Sequence, residues 1–238
     1  MKVLITGASG SIGGQVLTQC LAHPSISTVV AFVRRDLPQE LTRNPKLLSV
    51  RIQDFSNWPE DLVNAHADAA AMLWCMGTNT GDRNADLEYP LAFMTNMGRV
   101  LETRPSRTRF RYVHLSGKFV RQDQEKKLWL LESARKMKGL LETKALAFAE
   151  DHTHVWRTHI VKPGGVVTDR WLAPGAVVGL LGDNWCIRVE ELGAFMTYLA
   201  IDGGEEGSVT ENLRIAQKGR ELLAASKCLR NELIDGCI

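Results

Sequence analysis

The stretch TGASGSIGG, residues 6–14, decides the fold. Gly7, Gly10 and Gly13 recur every third residue. A short apolar run, VLIT (3–6), precedes them, and SIGGQVLTQCLAH (11–23) follows with the spacing of a helix. A strand that turns abruptly into a helix must pass through backbone conformations only glycine adopts freely. Such a turn also brings main-chain N–H groups close to whatever lies above it. The helix N-terminus adds its partial positive charge, so the whole is a ready site for a pyrophosphate. The alternative is a glycine-rich turn with no ligand; the strand–turn–helix context favours the phosphate site. The candidate contacts are Thr6, Gly7, Ser9, Gly10, Ser11, Ile12 and Gly13.

The next strand, TVVAFVR (28–34), ends in Arg34 and Arg35, followed by Asp36. In dinucleotide sites an acidic side chain here takes the ribose 2′-hydroxyl, and arginine takes a 2′-phosphate. Two guanidiniums suit a phosphate dianion, so the spacing points to NADP(H). Asp36 is the competing detail, able to reach the ribose if the strand runs one residue further.

Outward from the turn, strand and helix patterns alternate. LLSVRIQD (47–54), AAAMLWCMG (69–77), RFRYVHLSG (109–117) and HVWRTHIVKPGG (154–165) read as strands. PEDLVNAH (59–66), PLAFMTNMGRVLET (90–103) and KKLWLLESARKMKGLLETKALAFAED (126–151) read as helices, and NWCIRVEELGAFMTYLA (184–200) as a short strand and a helix. This alternation predicts a single α/β domain over residues 1–238, with a doubly wound parallel sheet of Rossmann type. Residues from about 164 to 238 read as an appended substrate-side region.

Composition sets the class. The chain has 238 residues, 45% of them apolar and 24% charged, as expected for a globular domain with a sizeable core. A net charge of +2 gives no reason to invoke nucleic acid or a membrane surface. The start MKVLITG enters a strand pattern at once, without a leader, and no apolar run approaches a membrane span. Five scattered cysteines without a CxxC pair read as reduced thiols, so the expected compartment is cytoplasmic. A small organic molecule is the expected partner, and a homodimer is left open.

Further motifs make a resemblance specific. Asp54-Phe55 has the form of an acidic-plus-apolar pair against adenine. WCMGT (74–78) ends the fourth strand with Met76, Gly77 and Thr78. HLSGK (114–118) carries Ser116, KMKGLLETK (136–144) carries Lys138, and KPGGVV (162–167) carries Pro163, Gly165 and Val166. In this order, over roughly residues 1–200, the chain resembles the atypical short-chain dehydrogenases/reductases of the NmrA-like and Tat-interacting-protein-like group. The resemblance implies the cofactor contacts named above, with Met76, Gly77 and Thr78 against the ribose, Lys138 on the nicotinamide ribose and Pro163, Gly165 and Val166 beside the nicotinamide.

One departure is sharp. The family's chemistry uses serine with tyrosine and lysine as YxxxK: lysine holds the ribose and lowers the tyrosine pKa, and tyrosine protonates the substrate oxygen. Ser116 and Lys138 match, but position 134 is alanine. Tyr89, Tyr112 and Tyr198 are the only tyrosines, and the residues four later are Phe93, Ser116 and Asp202. Three readings follow. In the first, a reductase of small carbonyls, enones or imines takes its proton from Lys118, Ser116, His114 or water, which makes Ser116, Lys138 and Lys118 the catalytic candidates. The second is a redox-neutral isomerase or cyclase of secondary-metabolite type, and the third an NADP(H)-sensing regulator.

The remaining candidates have plainer readings. His152, His154 and His159 lack acidic or cysteine partners at ligand spacing, so no metal is expected. Glu142 reads as a surface residue in helical pairing. Trp156 reads as core, and Trp171 and Trp185 as pocket walls.

Overall fold

A computed structural model describes residues 1–104, 108–168 and 182–235. Seven parallel strands form one sheet in the order β3-β2-β1-β4-β5-β6-β9. They are β1 (Lys2–Thr6), β2 (Thr28–Val33), β3 (Leu47–Arg51), β4 (Ala71–Trp74), β5 (Phe110–Leu115), β6 (Trp156–Lys162) and β9 (Val209–Glu211). A second sheet pairs β7 (Gly165–Val167) with β8 (Cys186–Arg188). The order reverses at β1, where β2 lies on one side and β4 on the other. Thr6 aligns with Phe32 and with Trp74, so the ends of three strands open onto one edge. In open α/β sheets that switch point is where ligands bind.

The central strands are apolar on both faces because helices cover both, whereas edge strand β3 is largely exposed. Val3, Ile5, Val29, Ala31 and Leu73 face α1 (Ser11–Ala22) and α6 (Val189–Ile201). Leu4, Val30, Phe32, Met72 and Trp74 face the other side, with α3 (Glu60–Ala65), α4 (Tyr89–Glu102) and α5 (Glu132–Asp151). That second core is aromatic. Trp58 meets Phe93 edge-on at 4.9 Å and Phe32 at 5.1 Å, the geometry ring quadrupoles favour. Trp156 sits in it, as its sequence context predicts. A one-turn helix α2 (Gln39–Thr42) and a long α7 (Asn212–Asp235) complete the order among the described residues.

Residues after Pro163 divide. Helix α6 packs on α1, where a Cβ at Gly193 would lie 3.2 Å from Gln15. Strand β9 extends the main sheet beside β6. Both belong to the central packing unit, and Ile187 of β8 joins the same core.

Several boundaries differ from expectation for local reasons. The third strand stops at Arg51 because Asp54 Oδ1 accepts from the Ser56 N–H and hydroxyl, at 2.9 and 2.7 Å, and closes a turn. The long helix begins at Glu132, not at residue 126. Leu131 ahead of it has φ +50°, a left-handed conformation that a helix does not continue through. A π-helical turn, Asn84–Glu88, precedes α4 where the sequence shows no periodicity.

Candidate active site

The glycine turn is built as a close crossing. Gly7 has φ +72°, and a Cβ there would lie 2.7 Å from the Cys75 carbonyl carbon. A Cβ on Gly13 would lie 2.1 Å from the Gly7 oxygen. These two glycines are therefore required by the fold itself. Gly10 differs: a Cβ there meets only the Gly7 oxygen, at 3.3 Å, and the residue is exposed. Helix α1 has Gly10 as its N-cap, with no side-chain cap and no acidic residue in the first turn. Its leading N–H groups are not capped by a side chain among the described residues, and such a helix start stabilises an anion. The turn thus fits a pyrophosphate. Thr6 is fully buried below it, and its hydroxyl has no partner among the described residues.

The other cofactor candidates sort by exposure. Arg34 and Arg35 are exposed past the end of β2, with no hydrogen bond or ion pair among the described residues. Asp36 leans to Arg51 at 3.7 Å. Asp54 is exposed. Phe55 is not: its ring is buried between Trp58 and Trp74. The acidic-plus-apolar pair therefore splits in exposure, with the Phe55 ring packed in the core and the Asp54 carboxylate outside it. Beside the turn, Gly77 packs near Lys138 Nζ.

A cleft of about 360 Å³ continues from the turn, sharing Ile12 with it. Ser116, Lys118, Ala134, Lys138, Pro163 and Val166 all line it. The structure thus brings together the end of β5, the face of α5 and the β6–β7 turn. Asn212, fully buried at the start of α7, fixes that turn by accepting from the Gly164 N–H at 2.6 Å and donating to the Asp183 and Cys186 carbonyls. Trp185, read as a pocket wall, does not itself line the cleft; it stacks at 6.2 Å on Phe119, which does. Trp171 lies outside the described residues.

Two buried carboxylates lie beneath the cleft. Asp86 is 2% exposed and comes from the π-helical turn. It accepts from the Thr78 N–H at 2.7 Å and the Thr78 hydroxyl at 2.6 Å, and Lys138 Nζ lies 3.9 Å away. Glu142 is 0% exposed, so its reading as a surface residue is corrected. It lies one helical turn after Lys138 and therefore shares that inward face. Its Oε1 accepts from Ser116 Oγ at 2.5 Å and Lys162 Nζ at 3.1 Å; its Oε2 accepts from Lys162 Nζ at 3.0 Å and Gln122 Nε2 at 3.1 Å.

The consequence is chemical. A hydroxyl has one proton to give. Thr78 gives its proton to Asp86 and Ser116 gives its to Glu142, so each offers only lone pairs to the cleft. His114 is buried, and burial, reinforced by the Lys138 charge, pushes its pKa down to about 3, so it is neutral. Burial also pushes the Cys20 thiol up to about 12 and the Cys75 thiol higher still, which removes both as nucleophiles. The acids left facing the cleft among the described residues are the lysines and Arg135.

Ala134 is 6% exposed, with the backbone of Gly81 laid against it. His159 is buried in β6, His154 is exposed, and His152 pairs with Glu102. No three His, Cys, Asp or Glu side chains group as metal ligands among the described residues. No helix among them is long and apolar enough to cross a membrane.

No family model matches the chain. It is 35% identical over 80 residues to the D-lysergyl-peptide-synthetase subunit 3 of Claviceps purpurea, 30% of this chain and 5% of that one. It is 25% identical over 161 residues to the protein fmp52-1, mitochondrial, of Aspergillus terreus, 67% of this chain and 66% of that one. Among solved structures, Candida albicans Gre2 in complex with NADPH superposes with TM-score 0.63 at 15% identity, covering 89% of this chain and 78% of the other. The PhqB reductase domain from Penicillium fellutanum gives 0.61 at 15%, covering 90% and 68%. The chain has a Rossmann-type fold. Its structural neighbours are short-chain-type reductases and their kin, and they include proteins solved with NADPH or with NAD.

Proposed function

We propose that this protein binds NADP(H) and reduces a small organic carbonyl, enone or imine, as an atypical short-chain reductase of NmrA-like kind. The observation that carries this reading is the continuity between an uncapped, open helix N-terminus at Gly10 and a cleft containing Lys138. When bound, the cofactor supplies hydride. The α1 N–H groups would meet the pyrophosphate, and Arg34 and Arg35 the 2′-phosphate. Lys138 would donate to the nicotinamide ribose, held in place by Asp86. Because Thr78 and Ser116 give their protons to buried carboxylates, the substrate's proton comes from a lysine ammonium, Lys138 or Lys118. Without a tyrosine phenol at position 134, protonation of the substrate oxygen has less help than in the family's arrangement. The reading therefore favours acceptors already activated, such as enones and imines, over simple ketones.

The test is oxidation of NADPH with a panel of ketones, enones and imines, with product analysis. Turnover of enones or imines, lost in Lys138→Met, is the expected result. A second reading, redox-neutral isomerisation or cyclisation, draws on the same committed hydroxyls and on Ala134. Product formed without NADPH oxidation, whichever cofactor form is supplied, would put it in place of the first.

A further inference from the structure

Every charged side chain lining the cleft among the described residues is a cation: Lys118, Arg135 and Lys138. Lys138 has Asp86 as its counter-charge. Lys118 and Arg135 pair with no carboxylate among the described residues. Lys118 Nζ donates to a neutral amide, Asn184 Oδ1, at 3.0 Å and lies 5.5 Å from the Trp185 ring centre. Arg135 donates through Nε to the Phe119 carbonyl at 2.6 Å and through Nη1 to the Leu130 carbonyl at 3.3 Å, which leaves the rest of its donor fork unused. The carboxylates Asp86 and Glu142 are buried and already engaged. An excess of cations lining one cleft favours an anionic occupant. Next to Lys118, Phe119 and Trp185 stack with 50% and 52% of their surface exposed, a flat apolar shelf at the rim. Exposed apolar surface beside polar groups is a common mark of a ligand-binding groove.

We propose that the substrate is an organic acid: a carboxylate paired with Lys118 and Arg135, on a flat apolar body resting on Phe119 and Trp185. The reacting group of that substrate rests on the reductase reading above; the carboxylate and the apolar body do not, and they are testable without cofactor.

The probes are cinnamate and its neutral counterparts cinnamamide and methyl cinnamate, titrated calorimetrically into the intact chain at low salt. Cinnamate is expected to bind at least tenfold tighter than cinnamamide, with the ratio shrinking as salt rises. In Lys118→Gln the ratio should fall several-fold, with the remainder held by Arg135; Lys118→Arg should keep most of it. The salt dependence of the wild type stands as a test even if a variant folds poorly. Equal binding of acid and amide, no detectable binding of the carboxylate, or a ratio unchanged in Lys118→Gln would overturn the proposal. NADPH titrated into the same preparation reports separately on the reductase reading. NADPH binding without a preference for acids refutes the acid alone, and absent NADPH binding refutes the reductase.

Discussion

Replacing Glu142 by glutamine keeps its shape and removes its charge. Lys162 is 7% exposed and would be left without a counter-charge. Breaking a buried ion pair from one side costs about 3–5 kcal/mol. The local geometry places this case in the upper part of that range. Both carboxylate oxygens are in use, Oε1 by Ser116 and Lys162, Oε2 by Lys162 and Gln122. A glutamine amide must put an NH₂ where one of those oxygens stood, facing donors. The expected loss is about 4 kcal/mol, a large share of the roughly 5–15 kcal/mol that holds a domain folded. At a urea dependence of about 1–3 kcal/mol per molar, the unfolding midpoint should drop by at least about 1 M. Tryptophan fluorescence during urea unfolding reads it directly, since Trp74 and Trp156 are buried in the adjoining core. The double variant Glu142→Gln/Lys162→Met removes both charges, and Gln122 can turn its amide to suit the new one. It should cost at least about 2 kcal/mol less than the sum of the two single variants. A loss under about 1 kcal/mol in Glu142→Gln, or single effects that add within about 0.5 kcal/mol, would refute the coupled network.

Three further outcomes are expected. Gly10→Ala should fold normally and lose dinucleotide affinity, whereas Gly13→Ala, whose Cβ would lie 2.1 Å from the Gly7 oxygen, should be destabilised by several kcal/mol, about the cost of strained backbone and overpacking; thermal melts with dinucleotide titrations separate the two. Acid should destabilise the fold through His114 and His159, whose folded pKa values lie near 3 and 4, below the ordinary 6.5, chiefly through burial. Neutral imidazole is favoured when folded, so the stability is complete above about pH 6.5 and is lost as pH falls toward about 4 for His159 and about 3 for His114. The slope is about 1.4 kcal/mol per pH unit for each histidine, and urea midpoints at pH 7 and pH 5 measure it. Ala134→Tyr should not restore a proton donor, because the Gly81 backbone lies against that position; a loss of about 1–3 kcal/mol and no gain in NADPH oxidation are expected.

Much of this was legible in the chain. Strand β1, the glycine turn and α1 fall where TGASGSIGG places them, because the turn's conformational demand is local and glycine answers it alone. The doubly buried strands were legible because apolar residues stand at consecutive positions, as in VLIT and AMLW. Glu142 was misread although its spacing from Lys138 carried the signal: four residues along a helix share a face, so an inward lysine implies an inward glutamate. The burial of the Phe55 ring was not legible, because a motif gives residue types and not the direction of a ring. Asp86 was missed because GDRNADLEY has the polarity of a loop, and a π-helical turn leaves no period in a sequence. Arg135 and Asn212 act by holding loop carbonyls or amides from distant segments, contacts that exist only once the chain has folded. Strand β9 is three residues long and its pairing with β6 is equally non-local.

The central claim is that the open glycine turn and the two arginines beyond β2 hold NADP(H). Calorimetric titration of the intact chain with NADPH and with NADH tests it most directly. NADPH should bind at least tenfold tighter, a difference of about 1.4 kcal/mol or more, and Arg34→Gln/Arg35→Gln should erase the difference while leaving NADH affinity nearly unchanged. Equal affinities would return the ribose to Asp36, and no binding of either dinucleotide would contradict the account.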